Sequence, residues 1–446
     1  MKTIYRLVLV SLLALTACDN DLDQFPPNIA SADSLTDFGG VLNAAYYYQL
    51  GTVTPMAIMG EFRADNAFMF EEPYPSFDRY NSDLTVMEDQ FFGPFYTALY
   101  KSILSTNNVI ENSTDATEIG EAKFLRALSY FKLVQVFGDV TINLSSAPSL
   151  TDTSILVRQP AADVYNNVII PDLNDAIVAL NTQIEDGRAS RFAAQALLGK
   201  VYATRGDYAN AEPHLAAVVN GAAAAGISLK ANFNEIFGAE FEDGNSEIIF
   251  ATQISSSVVD EYTFGSDFWN WFVGDDSKSD FPVDADLVAA FDASDASGGG
   301  TDLRRAVTLS AEGTTAIKFP KDGGLGAEHD WIEIRLADVI LLYAETLNEN
   351  GSPATTVLPL LDDIRTRAGL NSLTGTVSSQ AEVRQAILDE RRLELAFEGH
   401  RWFDLVRTGA VDAEMGEAVN PNYYVFPIPI SEILATDGVI TQNPGY

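Results

Sequence analysis

The sequence predicts a mostly α-helical protein: a scaffold of tetratricopeptide-like helical hairpins with an irregular, loop-rich half containing a few short strands. Three observations predict it. Apolar residues recur at helical spacing over long stretches of the 446 residues. A helical-hairpin repeat signature, Leu198-Gly199-x-x-Tyr202 followed by Gly206-Asp207-Tyr208, Ala211 and Leu215, stands within one of them. Between the periodic stretches lie segments rich in aromatics, Gly and Pro that lack the period.

Taken in order, residues 34–49 read as a first helix, with Leu35, Phe38, Leu42 and Ala45 on one face. Residues 51–83 break the pattern and read as a long ordered loop. Helical spacing returns over residues 89–111, 119–137, 161–181 and 190–205. In the repeat, Gly199 and Ala211 let paired helices approach, and Tyr202 and Leu215 fill the space between them. A weaker copy runs through Tyr343-Ala344, Leu347, Gly351, Thr356 and Leu360. Residues 221–330 read as loops and short strands such as Glu247-Ile248-Ile249-Phe250-Ala251, with little helix. Helices resume over 332–348, 354–368 and 380–397, and residues 424–446 read as a Pro-punctuated, extended close. With no Gly/Ser linker, residues 34–446 are expected to be one intertwined domain. Its helical repeats span about 89–220 and 332–410, and its loop-rich, ligand-holding half about 51–83 and 221–330.

Composition narrows the function. Twenty-seven basic residues against 63 acidic ones give a net charge of −36, which repels phosphate backbones and argues against nucleic acid. The three histidines, His214, His329 and His400, lie far apart, and Cys18 is the sole cysteine, so neither a disulfide nor a Cys-based zinc site forms within the chain. No phosphate loop, dinucleotide fingerprint, zincin pattern or nucleophile elbow is present. Asp292, Asp295 and Asp302 flank a glycine run and offer calcium-type oxygens. They lack the EF-hand spacing, so no cofactor is expected, with calcium as the minor alternative.

The start of the chain reads as an address. Lys2 and Arg6 precede an apolar run, Leu7 to Leu15, too short to span a bilayer, and then Leu15-Thr16-Ala17-Cys18. This resembles a bacterial lipobox: residues 1–17 as signal peptide, Cys18 as the lipidated residue, and residues 18–33 as an acidic tether with Asp19, Asp21 and Asp23.

Three further stretches carry a family resemblance. They are Glu121-Ala122-Lys123-Phe124-Leu125-Arg126-Ala127-Leu128-Ser129-Tyr130-Phe131; Arg335-Leu336-Ala337-Asp338 through Tyr343-Ala344-Glu345; and Glu390-Arg391-Arg392-Leu393-Glu394-Leu395 through Gly399-His400-Arg401-Trp402-Phe403-Asp404-Leu405-Val406-Arg407. With the ending Phe426-Pro427-Ile428-Pro429 … Gln442-Asn443-Pro444-Gly445-Tyr446 and the lipobox, the chain resembles the SusD/RagB family of Bacteroidetes surface lipoproteins. The resemblance implies a four-repeat tetratricopeptide scaffold at the outer-membrane surface. It implies capture of an oligo- or polysaccharide without catalysis, and delivery to a SusC-like TonB-dependent transporter that the repeats would face.

The residues of these motifs read as structural. Arg391, Arg392, Glu394, Glu398, Arg401, Asp404 and Arg407 alternate in sign at helical spacings, as an ion-pair network on or between helices does. Trp331 and Trp402 read as core, and His400 as a structural hydrogen bonder.

Sugar capture asks for different residues: aromatic rings for the C–H face of a pyranose, and amides, carboxylates or guanidiniums for its hydroxyl rim. One cluster holds Tyr262, Phe264, Asp267, Phe268, Trp269, Asn270, Trp271 and Phe272; on an extended segment Trp269 and Trp271 would face the same way as two platforms. The competing reading is that this cluster anchors the loop half to the helices. A second cluster holds Asp65, Asn66, Phe70, Tyr74, Phe77, Arg79 and Tyr80, from which Tyr74, Arg79 and Tyr80 are singled out against plain loop packing. The acidic balance favours a neutral glycan such as a glucan. The alternatives are a tetratricopeptide protein-interaction scaffold, a peptide-import lid and, behind both, a surface glycoside hydrolase, which would need two carboxylates facing across a cleft.

Overall fold

Helices form where buried side chains recur along one face, and caps fix their ends. The computed structural model describes residues 37–149, 152–185, 187–238, 240–255, 268, 270–272, 282–298, 300–319 and 329–446. Residues 1–33, expected to hold a signal peptide, Cys18 and the tether, lie outside them. Helices of eight or more residues are numbered here in chain order. They are α1 (Gly39–Tyr48), α2 (Val53–Glu61), α3 (Gly93–Asn112), α4 (Ala116–Phe137), α5 (Ile170–Ala179), α6 (Arg191–Thr204) and α7 (Tyr208–Gly221), then α8 (Ala285–Gly298), α9 (Leu336–Glu349), α10 (Ala354–Arg367), α11 (Gln380–Glu394) and α12 (Arg401–Thr408).

The paired helices are those of the repeat pattern. Asp115 starts α4 by accepting from the amides of Thr117 and Glu118, and Ser190 and Asp207 cap α6 and α7 in the same way. Gly206, at φ +70°, makes the turn between α6 and α7. Gly199 lies against Leu215, where a Cβ would fall 2.5 Å from the leucine side chain. A full capping box, Ser379 with Glu382, opens α11. α7 packs on α9, which joins the repeats of the two halves of the sequence. Among the described residues, no helix is long and apolar enough to cross a membrane.

Among the described residues, sheet is confined to two small antiparallel pairs: β1 (Val140–Thr141) with β2 (Arg158–Gln159), and β3 (Ile248–Thr252) with β4 (Trp331–Arg335). The second pair runs from Ile248↔Arg335 to Thr252↔Trp331.

Four expectations change. The predicted loop 51–83 opens with a helix, α2; all nine of its residues are buried, so it has no polar face and no period to read. The helix expected from 332 begins only at Leu336, because 331–335 are strand β4 in an apolar run that is buried throughout. Within the segment expected to hold little helix, α8 forms on Leu287, Phe291 and Ser294, which are buried at i, i+4 and i+7 among Ala, Asp and Ser. The close of the chain is not wholly extended, since Ile430–Ala435 is a short helix.

The alternating charges of the family-like stretches are buried. The cations Arg304, Lys318, Arg335, Arg365 and Arg367 meet an equal number of carboxylates, Glu247, Asp302, Glu390, Glu394 and Glu398, in one connected network. Burial alone would raise Glu394, but Arg367, Arg335 and Arg304 overcome it and hold the carboxyl well below the usual range. A second balanced set pairs Lys200, Arg391 and Arg407 with Asp338, Glu345 and Asp404. His400 lies within it, 3.2 Å from Lys200 Nζ, and is pushed down to about 4 by burial and the adjacent Lys200, so it is neutral at pH 7. Such networks are costly to break singly, because one lost partner strands a buried charge.

Candidate functional site

The loop after α2 is bolted to the C-terminal motif before it reaches the surface. Asp65 receives two hydrogen bonds from Arg401 (2.7 and 2.8 Å) and pairs with Arg392 at 3.0 Å. Asn66 donates to Glu61 and accepts from Arg392 Nε at 3.0 Å. Both residues are buried, so these two predicted glycan contacts are spent on joining the ends of the fold.

Arg63 is also buried. It donates to the carbonyls of Phe77 and Tyr423, with its guanidinium carbon 4.6 Å from the Tyr80 ring centre and 5.4 Å from that of Trp402. Tyr80, at φ +44°, stacks on Trp402 (5.8 Å between centres) and donates from its hydroxyl to the Arg63 carbonyl. The ring predicted as a sugar platform is therefore committed to a cation and an indole. Beside it Asp78 is pushed up to about 8 by burial, which Arg63 opposes and Asp284 reinforces.

The second cluster divides in the same manner. Phe268 is fully buried against Phe319 and Trp331. Trp271 is fully buried against Phe91 and the edge of Tyr74. A buried ring offers no face to a sugar, and residues 270–271 form a helical turn, not an extended segment. The anchoring reading is the one that describes Phe268 and Trp271. Trp269, Tyr262 and Asp267 lie outside the described residues; Asn270 is half-buried.

Among the described residues of the two clusters, a short stretch around Phe70 reaches solvent. Phe70 is 64% exposed and rests edge-on against Phe68, 4.7 Å between centres. Phe68 is tied by its amide to the Pro282 carbonyl, at 2.8 Å. Four residues on, half-buried Tyr74 leans on Trp271 (5.3 Å) and accepts from Gln90 Nε2 at 3.2 Å. Arg79, exposed, pairs with Glu72 and lies 3.7 Å from Asp83. The structure thus leaves two partly exposed rings, Phe70 and Tyr74, four residues apart on a braced loop, with amide, guanidinium and carboxylate groups close in sequence. Gln90 was missed by sequence reasoning, since it sits at the head of a helical stretch and only the folded loop puts Tyr74 against it. The proposed calcium carboxylates do not converge: Asp302 is taken by Arg304, and Asp292 lies 3.6 Å from Arg305. Among the described residues, no group of three or more His, Cys, Asp or Glu is placed to hold a metal.

Comparison with known proteins gives this geometry a family. The SusD family model matches residues 296–423, which include the network carboxylates and arginines of α9 to α12. A second model, described as starch-binding associating with outer membrane, matches residues 18–203. This chain belongs to the SusD family. SusD-like protein P2 of Formosa agariphila is 26% identical over 100% of both chains, and SusD-like protein P38 of the same organism is 27% identical over 92% of each. A SusD superfamily protein from Parabacteroides distasonis superposes with a TM-score of 0.76 at 22% identity, covering 92% of this chain and 100% of that one. A structure described as a laminarin binding SusD-like protein has a TM-score of 0.72 at 26% identity, covering 92% and 99%. The SusD fold accounts for the helical-hairpin scaffold and the small sheets.

Proposed function

We propose that this SusD-like chain is a non-catalytic glycan-binding lipoprotein, anchored through Cys18 at the outer-membrane surface, which passes its ligand to a SusC-like TonB-dependent transporter. The observation that carries the binding reading is the exposed Phe70 ring, with half-buried Tyr74 four residues on, on a loop held from beneath by buried charges and indoles. Exposed rings on a rigid base stack on sugars at little entropic cost. Trp269, Tyr262, Asp267, Asn270 and Arg79 complete the candidate contacts. A neutral glycan, a glucan foremost, fits the net charge of −36 and the laminarin-binding relative. Catalysis finds little support in the described part of this loop, where Glu72 is held by Arg79 and Asp65 is buried against Arg401.

Affinity electrophoresis tests this reading. The purified protein should be retarded in gels containing laminarin or another neutral polysaccharide, and should release no reducing ends from it on prolonged incubation. Retardation only by sulfated or uronic glycans would overturn the neutral preference. Steady release of reducing ends would overturn the non-catalytic reading.

A further inference from the structure

A second pocket opens on the helical scaffold, with a volume of about 200 Å³. Its walls come from α7, α9, α11 and α12 and from the turn Val411–Glu414, so no residue of the Phe70 loop takes part. Two bidentate ion pairs line it. Arg384 donates to both oxygens of Glu349 (2.7 and 2.6 Å), and Arg407 to both oxygens of Glu345 (2.5 and 2.9 Å). Tyr208 donates to Glu345 at 3.2 Å, and Gln385 to Glu414 at 3.4 Å. Burial, with Glu345 beside it, raises the Tyr208 phenol well above its ordinary value, so it keeps its proton at neutral pH. The small Ala410 and Ala413 supply apolar surface, over a base formed by the buried Ile387 and Leu388.

We infer that this pocket binds a single neutral pyranose unit, as a sugar site separate from the Phe70 surface. The pairing decides the ligand class. Each guanidinium and carboxylate already has its counter-ion, so a charged ligand would have to break a bidentate pair to gain one. The unused N–H groups of Arg384 and lone pairs of Glu349 remain at the open side, fixed in direction, with a phenol and an amide nearby, while Arg407 is shared with Asp404 and holds Glu345 from beneath. That is a rim of donors and acceptors without excess charge, and a neutral polyhydroxyl ring complements it, its C–H face resting on the aliphatic side chains. The size agrees, since drug-sized ligands fill pockets of about 300–1,000 Å³ and this one is smaller. The inference does not depend on the Phe70 surface binding glycan.

Saturation-transfer NMR on the purified protein with D-glucose, D-galactose and D-mannose tests it. At least one hexose should receive saturation. Ala413→Trp, which fills the pocket from an exposed position, should reduce the transfer at least fivefold. Arg384→Ala, at an exposed guanidinium, should do the same and serves as the deciding variant if the tryptophan lowers the melting temperature. The Phe70→Ala/Tyr74→Ala variant, which removes any share of the loop surface, is the background in which both pocket substitutions are read, and it should itself keep transfer to at least one hexose. No transfer to any of the three hexoses overturns the inference, as does transfer that survives both pocket variants or vanishes with the Phe70 and Tyr74 substitutions. Polysaccharide retention lost with Phe70 and Tyr74 but kept in the pocket variants reports on the loop surface alone.

Discussion

Glu61 ends α2 with its carboxylate buried and held by neutral donors: the Gly399 amide at 2.8 Å and the Asn66 amide at 2.9 Å. Burial pushes it from 4.5 up to about 7, against those hydrogen bonds and the more distant charge of Lys318. Between about pH 4.5 and 7 the folded protein therefore keeps a proton that the unfolded chain has released. Its contribution to stability is complete below pH 4.5 and is lost as pH rises through 7, at about 1.4 kcal/mol per pH unit. Asp78, raised to about 8, acts with the same sign. Glu61→Gln should thus shrink the fall in urea midpoint between pH 5 and pH 7.5, leaving the part due to Asp78. An unchanged fall would mean that Glu61 titrates as an ordinary carboxylate in the folded protein. At this scale the sequence was least legible. Trp271 and Phe70 stand in similar aromatic clusters, yet one is core and the other is surface. Composition names the ring; only the packing of Tyr74 and Phe91 around Trp271 decides which ring is left over for a ligand.

The elements were legible where one face is polar. α3, α6, α10 and α11 follow the apolar period to within a few residues, α7 was read from the repeat signature, and α4 matches its expected range although Phe124 to Val134 are all buried. α2 was not legible, because a helix buried on every side carries no period, and β4 ran unmarked into α9 for the same reason. The sign-alternating stretch on α11 and α12 read as an ion-pair network, and the structure bears that out, though surface and interior networks look alike in sequence. What holds α2 against the C-terminal motif is a backbone contact. A Cβ on Gly60 would fall 2.3 Å from the Gly399 carbonyl oxygen and 2.6 Å from its Cα, and Gly399 itself is at φ +75°. Gly60→Ala should therefore cost about 2 kcal/mol or more by forcing the helix off the motif. A drop in melting temperature is expected, whereas an alanine tolerated without loss would show that α2 and the motif can part freely.

At the largest scale, early and late parts of the described sequence share one structure. Asp65 and Arg401 meet, the Phe426 amide donates to the Val136 carbonyl at 2.7 Å, and Arg158 reaches Asn443. The four family-like stretches, far apart in sequence, become the joints of this arrangement, so their residues name the family without naming the ligand. In the function proposed here, binding falls to the residues left outside the joints, on a loop braced by them. The central claim is that the exposed rings, and not the buried indole, carry glycan binding. Affinity electrophoresis in laminarin gels, comparing the native protein, the Phe70→Ala/Tyr74→Ala double variant and Trp271→Ala, tests it most directly. The account predicts at least a tenfold loss of affinity in the double variant with its melting temperature kept. Trp271→Ala should lose about 3–5 kcal/mol of stability as a large core ring is removed. Full retention of the folded double variant in the gel that retards the native protein would contradict the claim.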